Sequence, residues 1–378
     1  MKYYLIAGEA SGDLHGFNLM RGILRADPEA KFRFWGGDRM AEVGGVENLS
    51  KHYKQTSFFG VADVLKHLRT IFSQLDECKR DIVDFGPDVV ILIDYPGFNF
   101  KVAKFAHSKG IRTFYYISPK VWAWKERRVE MIRKYVDRLF IIFPFEREYF
   151  RRRGIETIYE GNPIMDSIAQ MLSEVPTKEL FARENGLDER PIVALLAGSR
   201  KNEIKKNLAF MVALSKAHPE WQFVVAGVSW LDGKLYEQFL EGSDVKFVKD
   251  KTYALLKYSE AAVVCSGTAT LETALIGTPE VVCYRMDEFS YRVARAFVKI
   301  GFISLVNIIM EREVVRELIQ HDMTVANASE ELRAIVAGGT KHSKMMADYA
   351  ALQEIVGGAG ASDRFAARMV ELLKTENR

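Results

Sequence analysis

Cysteine is scarce in this chain of 378 residues: Cys78, Cys265 and Cys283 are far apart and form no CxxC pair. That spacing argues against a disulfide framework and a zinc site, and favours buried thiols in a reducing compartment. Long apolar runs are missing too. The candidates around Val89 and Phe140 are broken by Asp94, Pro96 and Pro144, short of the roughly 18 to 20 residues that span a bilayer. The opening MKYYLIAGEASGD has too short an apolar stretch for a signal-peptide core. It reads as a first strand running into a glycine loop. Charge of one sign is also lacking, since 53 basic and 50 acidic side chains leave only +3. Nothing global points to nucleic acid. No GxGxxG follows the first strand and no GxxxxGK[ST] occurs anywhere, which weakens dinucleotide and P-loop readings.

What is present is an ordinary globular composition, 48% hydrophobic, so folding is expected throughout. At about 150 residues per domain the length suggests two domains. Short β-branched or aromatic runs bounded by glycine and proline alternate with amphipathic stretches, the signature of βαβ units and parallel sheets. YYLIAG, FRFWGG, DVVILID, RTFYYIS and RLFIIFPF are the strands of the first half, and PIVALLAGSR, WQFVVAG, VKFVKD, AAVVCSG and PEVVCYRM those of the second. Helical periodicity falls on Gly16 to Ala26, Val64 to Phe85 and Phe98 to Lys109. The pattern restarts after Gly161, Asn162 and Pro163. The expected division is therefore 1–163, 164–340 and a closing helical segment 341–378, which packs either on its own first domain or on a second copy in a homodimer. Two such domains would face each other across a cleft at their sheet ends.

Four loops could carry chemistry. Gly8, Glu9, Ala10, Ser11, Gly12 and Asp13 run from the first strand into the first helix, where unpaired amides and the helix dipole favour anions or hydroxyl-rich ligands. A tight turn capped by Ser11 or Asp13 is the plain alternative, although Glu9 has no capping duty there. Asp94 follows the apolar run Val89 to Ile93, at the tip of a buried strand, and shares its loop with Tyr95 and Asn99. A strand tip is a catalytic address; a helix cap is the competing reading. In the second half, Gly198, Ser199 and Arg200 offer amides, a hydroxyl and a guanidinium to a diphosphate. Ser266, Gly267 and Thr268 repeat that arrangement with Glu272 one turn in, and a carboxylate can accept both hydrogen bonds of a ribose diol.

Two longer stretches have a structural and a lipid-facing reading. Val61, Val64, Leu65, Leu68, Ile71, Phe72 and Leu75 form one helical stripe, suited to a sheet or to lipid. Lys120 to Arg153 holds eleven basic and five acidic side chains, a solvated face or an anionic head-group surface.

Together GEASGD, FWGGDRM, the strand ending in Asp94 with its PGFN loop, SPKVWAW, FPFE, GNP, LAGSR and SGTATLE resemble the lipid-A-disaccharide synthases, bacterial glycosyltransferases of the GT-B fold. The similarity covers nearly the full length. It implies two Rossmann-like parallel-sheet α/β domains and transfer of a diacylated glucosamine from UDP to the 6-hydroxyl of diacylglucosamine 1-phosphate. No cofactor is implied, and the missing DxD signature suggests no metal. Peripheral contact from the cytoplasm with the inner membrane is implied as well. On this resemblance Asp94 is the base and Glu9 a supporting carboxylate, with Ser11, Gly12 and Asn99 beside the substrate. Ser199 and Arg200 meet the diphosphate, Glu272 the ribose, and Ser266, Gly267, Thr268 and Asn307 line the donor pocket. Acylated substrates turn the odds for Phe58, Phe59, Val61, Leu65, Leu68 and Phe72 toward acyl contact. A UDP-sugar epimerase and a nucleotide-sugar sensor without turnover are the rival readings.

Overall fold

The computed structural model describes residues 1–55, 68–121, 128–228, 231–265, 267–286, 291 and 301–376, apart from the side chains of Leu68 and Glu376. The chain forms two compact units, Met1–Ser167 with Val356–Arg378, and Ile168–Ile355.

The first unit is built on β1 (Lys2–Ala7), β2 (Lys31–Gly36), β3 (Leu49–His52), β4 (Val89–Ile93), β5 (Arg112–Tyr116), β6 (Arg138–Ile141) and β7 (Thr157–Tyr159). All pair in parallel, in the order β3-β2-β1-β4-β5-β6-β7. Successive side chains on a strand point to opposite faces, and that alternation sorts two cores. Tyr3, Leu5, Val89, Ile91 and Ile93 meet the helices Ala10–Ala26 and Ala361–Glu376. Tyr4, Ile6, Val90 and Leu92 meet the helices Leu68–Phe85 and Pro96–Ser108. Burial on both faces is why β4 is apolar at every position.

The second unit repeats the plan with β8 (Ile192–Leu196), β9 (Gln222–Gly227), β10 (Lys246–Lys249), β11 (Ala261–Cys265), β12 (Glu280–Tyr284) and β13 (Glu317–Ile319). Their order is β10-β9-β8-β11-β12-β13, again all parallel.

The closing segment, read from sequence as one piece from 341, is divided near Ile355, and the first unit extends to Ser167. The helix His342–Val356 belongs to the second unit, tied by Gln353 Nε2 to the Leu275 carbonyl at 2.9 Å and by the Arg312–Asp348 ion pair at 2.7 Å. The helix Ala361–Glu376 instead packs on the first unit. Its Phe365, Met369 and Leu373 are fully buried with Leu19 and Ile23, each such side chain contributing about 1.5–3 kcal/mol. Phe365 stands edge-on to Tyr116 at 5.3 Å. The Asp166 carboxylate accepts the Gly360 and Ser362 amides at the start of that helix.

Candidate functional site

Loops at the carboxyl ends of parallel strands part where the strand order reverses. In the first unit this happens between β1 and β4, and in the second between β8 and β11. The four loops singled out in the sequence are those that follow these four strands.

At the first switch point, Glu9 starts the helix Ala10–Ala26 on extended backbone, with no side-chain cap. Asp13 caps a different helix from the one expected. Its carboxylate accepts the amides of Gly37 at 2.6 Å and of Arg39 and Met40 at 3.2 Å, closing the start of the helix Asp38–Gly44. Gly12 is buried, and a Cβ there would come 3.2 Å from the Ala7 side chain, so its place is in packing the helix onto β1. Glu9 and Ser11 are exposed. His15 is pushed down to about 4 by burial and stays neutral.

From the tip of β4 the chain enters Asp94 and Tyr95 with φ of 42° and 46°. Left-handed backbone costs a non-glycine residue about 1–3 kcal/mol, and surrounding contacts hold it here. The Tyr115 hydroxyl donates to the Asp94 carbonyl at 2.6 Å, and Asn99 Nδ2 donates to the same oxygen at 2.8 Å. The Asp94 amide donates to the Tyr116 carbonyl at 3.1 Å. The Tyr95 ring lies across Gly8, where a Cβ would stand 2.3 Å from it; only glycine fits beneath. Asn99, expected beside the substrate, is fully buried and turned toward backbone carbonyls.

Asp94 keeps a face open to solvent, yet enough protein surrounds its carboxyl that burial pushes it up to about 6. The Lys120 ammonium opposes this rise, Glu9 adds to it by like-charge repulsion, and the Tyr95 amide bonded to the carboxylate opposes it again. The result is a carboxylate mostly ionised at neutral pH and more basic than an ordinary one. That is the behaviour of a general base.

At the second switch point, Gly198 (φ 115°) turns the chain from β8 toward the helix Lys201–Lys216. The amides expected to hold phosphate are already engaged. Glu203 Oε2 accepts the Ser199 amide at 3.0 Å and the Arg200 amide at 3.3 Å. The Arg200 guanidinium remains 64% exposed, 3.5 Å from Glu203. Its charge reaches Cys265 at the end of β11 and Tyr284 at the end of β12. Beside it, Gly267 (φ 146°) and Thr268 are exposed at the start of the helix Thr268–Ile276. Glu272 is half-buried, raised by burial, and accepts the Tyr253 hydroxyl at 2.5 Å. Asn307 does not join this group. Its Nδ2 donates to Val315 O and Glu317 Oε1, while Oδ1 accepts the Val314 and Val315 amides. No polar atom of that amide is left for a ligand, because it is spent on a turn.

Ser266, Phe58, Phe59, Val61 and Leu65 lie outside the described residues, as does the Leu68 side chain. Where the stripe can be followed it divides: Leu75 is core, whereas Phe72 is 53% exposed, with Lys101 Nζ 4.9 Å above its ring. In the basic stretch, Arg133 pairs with Glu130, and Arg151 and Arg152 both pair with Glu148 at 2.7 Å. Arg147 faces a cavity of about 560 Å³ over edge strand β7, shared with Tyr159 and Arg364. That cavity contains none of the switch-point residues. Among the described residues no cluster of His, Cys, Asp or Glu could hold a metal, and no helix is long and apolar enough to cross a membrane.

Sequence reasoning overlooked Tyr115, Glu203 and Tyr253. Glu203 had a signal, lying three residues after the N-cap Arg200. The tyrosines had none, because they reach Asp94 and Glu272 across space.

A family model described as "Lipid-A-disaccharide synthetase" matches residues 3–363. A lipid-A-disaccharide synthase of Geobacter sulfurreducens is 36% identical over 377 residues, 98% of this chain and 96% of the relative. One of Myxococcus xanthus is also 36% identical, covering 98% and 97%. Among solved structures, a Neisseria meningitidis UDP-GlcNAc 2-epimerase bound to UDP-GlcNAc superposes with a TM-score of 0.67 at 14% identity, over 98% of this chain and 100% of that one. The calicheamicin glycosyltransferase CalG4 gives 0.60 at 15% identity, over 99% and 98%. These two likenesses establish the fold, the two-domain parallel-sheet architecture of GT-B glycosyltransferases.

Proposed function

The chain belongs to the lipid-A-disaccharide synthetase family, and on that footing we propose how its two switch points divide a glycosyl transfer. It is a glycosyltransferase of lipid A biosynthesis, using a UDP-sugar donor and an acceptor sugar. In the reaction a 2,3-diacylglucosamine leaves UDP for the 6-hydroxyl of 2,3-diacylglucosamine 1-phosphate.

The first switch point takes the acceptor and its proton. Attack from the face opposite UDP inverts the anomeric carbon, and the 6-hydroxyl loses its proton as the new C–O bond forms. Asp94 accepts that proton, an assistance of about 10² to 10⁴ in rate. Glu9 is the supporting negative charge that raises the proton affinity of Asp94, and Ser11 lines the acceptor. The second switch point takes UDP. Arg200 and Ser199 meet the diphosphate as negative charge develops on the leaving group, Gly267 and Thr268 present the start of a helix, and Glu272 accepts the ribose diol alongside Tyr253. Ser266, which precedes Gly267 in the sequence, is assigned to the same donor contact. Acyl chains meet the segment from Phe58 to Phe72, of which exposed Phe72 beside Lys101 is the described end, and this segment attaches the enzyme peripherally to the cytoplasmic leaflet.

The carrying observation is the Asp94 carboxyl, raised to about 6 at a strand tip and facing the charge of Glu9. The test is acceptor-dependent UDP release. UDP appearing from UDP-diacylglucosamine only when diacylglucosamine 1-phosphate is present supports transfer. Release without acceptor, or interconversion of UDP-sugars, would point to an epimerase, and binding without turnover to a sensor.

A further inference from the structure

Strand alternation sets a problem at Asp94. Val90 and Leu92 point into the core that contains Tyr4 and Ile6, so a β4 continued by two residues would aim Asp94 into that same apolar layer, where an unpaired carboxylate is costly. The backbone escapes this course by turning left-handed at Asp94 and Tyr95. Such a turn persists only where the surroundings fix it. Two donors converge on one carbonyl oxygen, the Tyr115 hydroxyl at 2.6 Å and Asn99 Nδ2 at 2.8 Å from Asp94 O, one for each lone pair. Tyr115 is rigidly placed. It sits on β5 in register with Leu92, is fully buried, and packs its ring 5.6 Å from that of Phe100.

We propose that Tyr115 is a positioning residue for the transfer reaction: its hydroxyl, with Asn99 as second donor, holds the Asp94 carbonyl and so aims the Asp94 carboxylate out of the sheet end. This rests on the reading of Asp94 as the base. Tyr115 never touches substrate. It acts through the backbone of the residue that does, and a misplacement of about 1 Å in a reacting group can cost 10²-fold in rate.

Tyr115→Phe keeps the ring and removes only the donor. The expected result is a kcat lower by roughly 10- to 100-fold with KM for both substrates within about two-fold. The acid limb of the kcat profile should also move, to higher pH. A backbone no longer held left-handed relaxes toward the extended course that aims the carboxyl at the apolar layer, where burial raises it further, while Glu9, Lys120 and Arg128, the charged groups around Asp94 and Tyr115, stay in place. Asn99→Ala should act in the same direction and carries the test if Tyr115→Phe does not fold. An unmoved kcat and acid limb, even with a lower melting temperature, overturns the proposal. So does a raised KM with kcat intact, or a lower kcat with the limb unmoved. Asp94→Asn separates the two readings: if that variant stays active the base assignment fails, whereas an inactive Asp94→Asn beside an unaffected Tyr115→Phe refutes the positioning role alone.

Discussion

At the tip of β4 the left-handed backbone is carried by Asp94 and Tyr95, whereas at the tips of β8 and β11 it is carried by Gly198 and Gly267. The two switch points share a topology and differ in what they present. Glycine adopts such φ values without strain and leaves backbone bare, which suits the proposed donor site, with its helix starts and the exposed Arg200 guanidinium. A sheet end that must present a particular carboxylate cannot use glycine there, so strain is accepted and buried donors hold it. The second site has its own economy. Glu203 caps the Ser199 and Arg200 amides, so under the proposed division of labour a diphosphate there would meet the exposed Arg200 side chain more than the helix start.

The sharpest way to break this comparison is Asp94→Asn, which keeps the volume and removes the base. Transfer should fall by about 10² to 10⁴ while UDP binding measured by calorimetry is unchanged; near-normal turnover would strip Asp94 of the base role. Arg200→Ala should do the reverse. Loss of a charge-assisted hydrogen bond is worth about 1.5–3 kcal/mol, or roughly 10- to 100-fold in UDP affinity, with the acid limb of kcat left where it was. An unaltered affinity would remove Arg200 from the diphosphate. Acid itself is a milder probe of the first site. With Asp94 raised to about 6, its ionised fraction is high at neutral pH and falls as pH drops through 6, so kcat should decline about tenfold per unit below that point. A profile flat to pH 5 would contradict a base in this environment.

Much of both sites was legible in the sequence because each loop follows an apolar run that can only be a buried strand: VVILI before Asp94, IVALL before Gly198, AAVVC before Ser266. Apolar strand, glycine and helix are local signals, and local signals survive in one dimension. The edge strands Leu49–His52, Thr157–Tyr159 and Glu317–Ile319 were missed, being short and incompletely buried, so that no apolar run marks them. Asp13 and Asn307 show another limit. Asp13, read as a possible cap of its own helix, instead closes the helix Asp38–Gly44 through the Gly37 and Met40 amides, and Asn307, carried over from the resemblance, is bonded to Val314 and Glu317; the neighbours of a polar side chain in sequence do not mark the partners it takes. Tyr115 reaches the backbone of Asp94 across 21 positions, which no spacing rule anticipates.

The finest test contrasts two raised carboxyls, one at an open strand tip and one at a closed strand start. Glu280 begins β12, is fully buried, and has no partner for either carboxylate oxygen among the described residues. Burial, then the nearby Glu317, pushes it well above the carboxylate range, so it folds protonated. The unfolded chain releases that proton near the ordinary value of about 4.3. Its favourable contribution is therefore complete below that pH and is lost as pH rises through the folded value. Glu280→Gln removes the titration and keeps the shape. Near pH 4 the variant should melt with the parent; at pH 8 it should be the more stable of the two, with a higher Tm, because only the parent must then hold a proton that its unfolded chain has released, and kcat should be unaffected. A variant less stable than the parent at both pH values would show that the Glu280 carboxyl makes a hydrogen bond that glutamine cannot replace, and that the closed end of this strand is held by chemistry as the open end of β4 is.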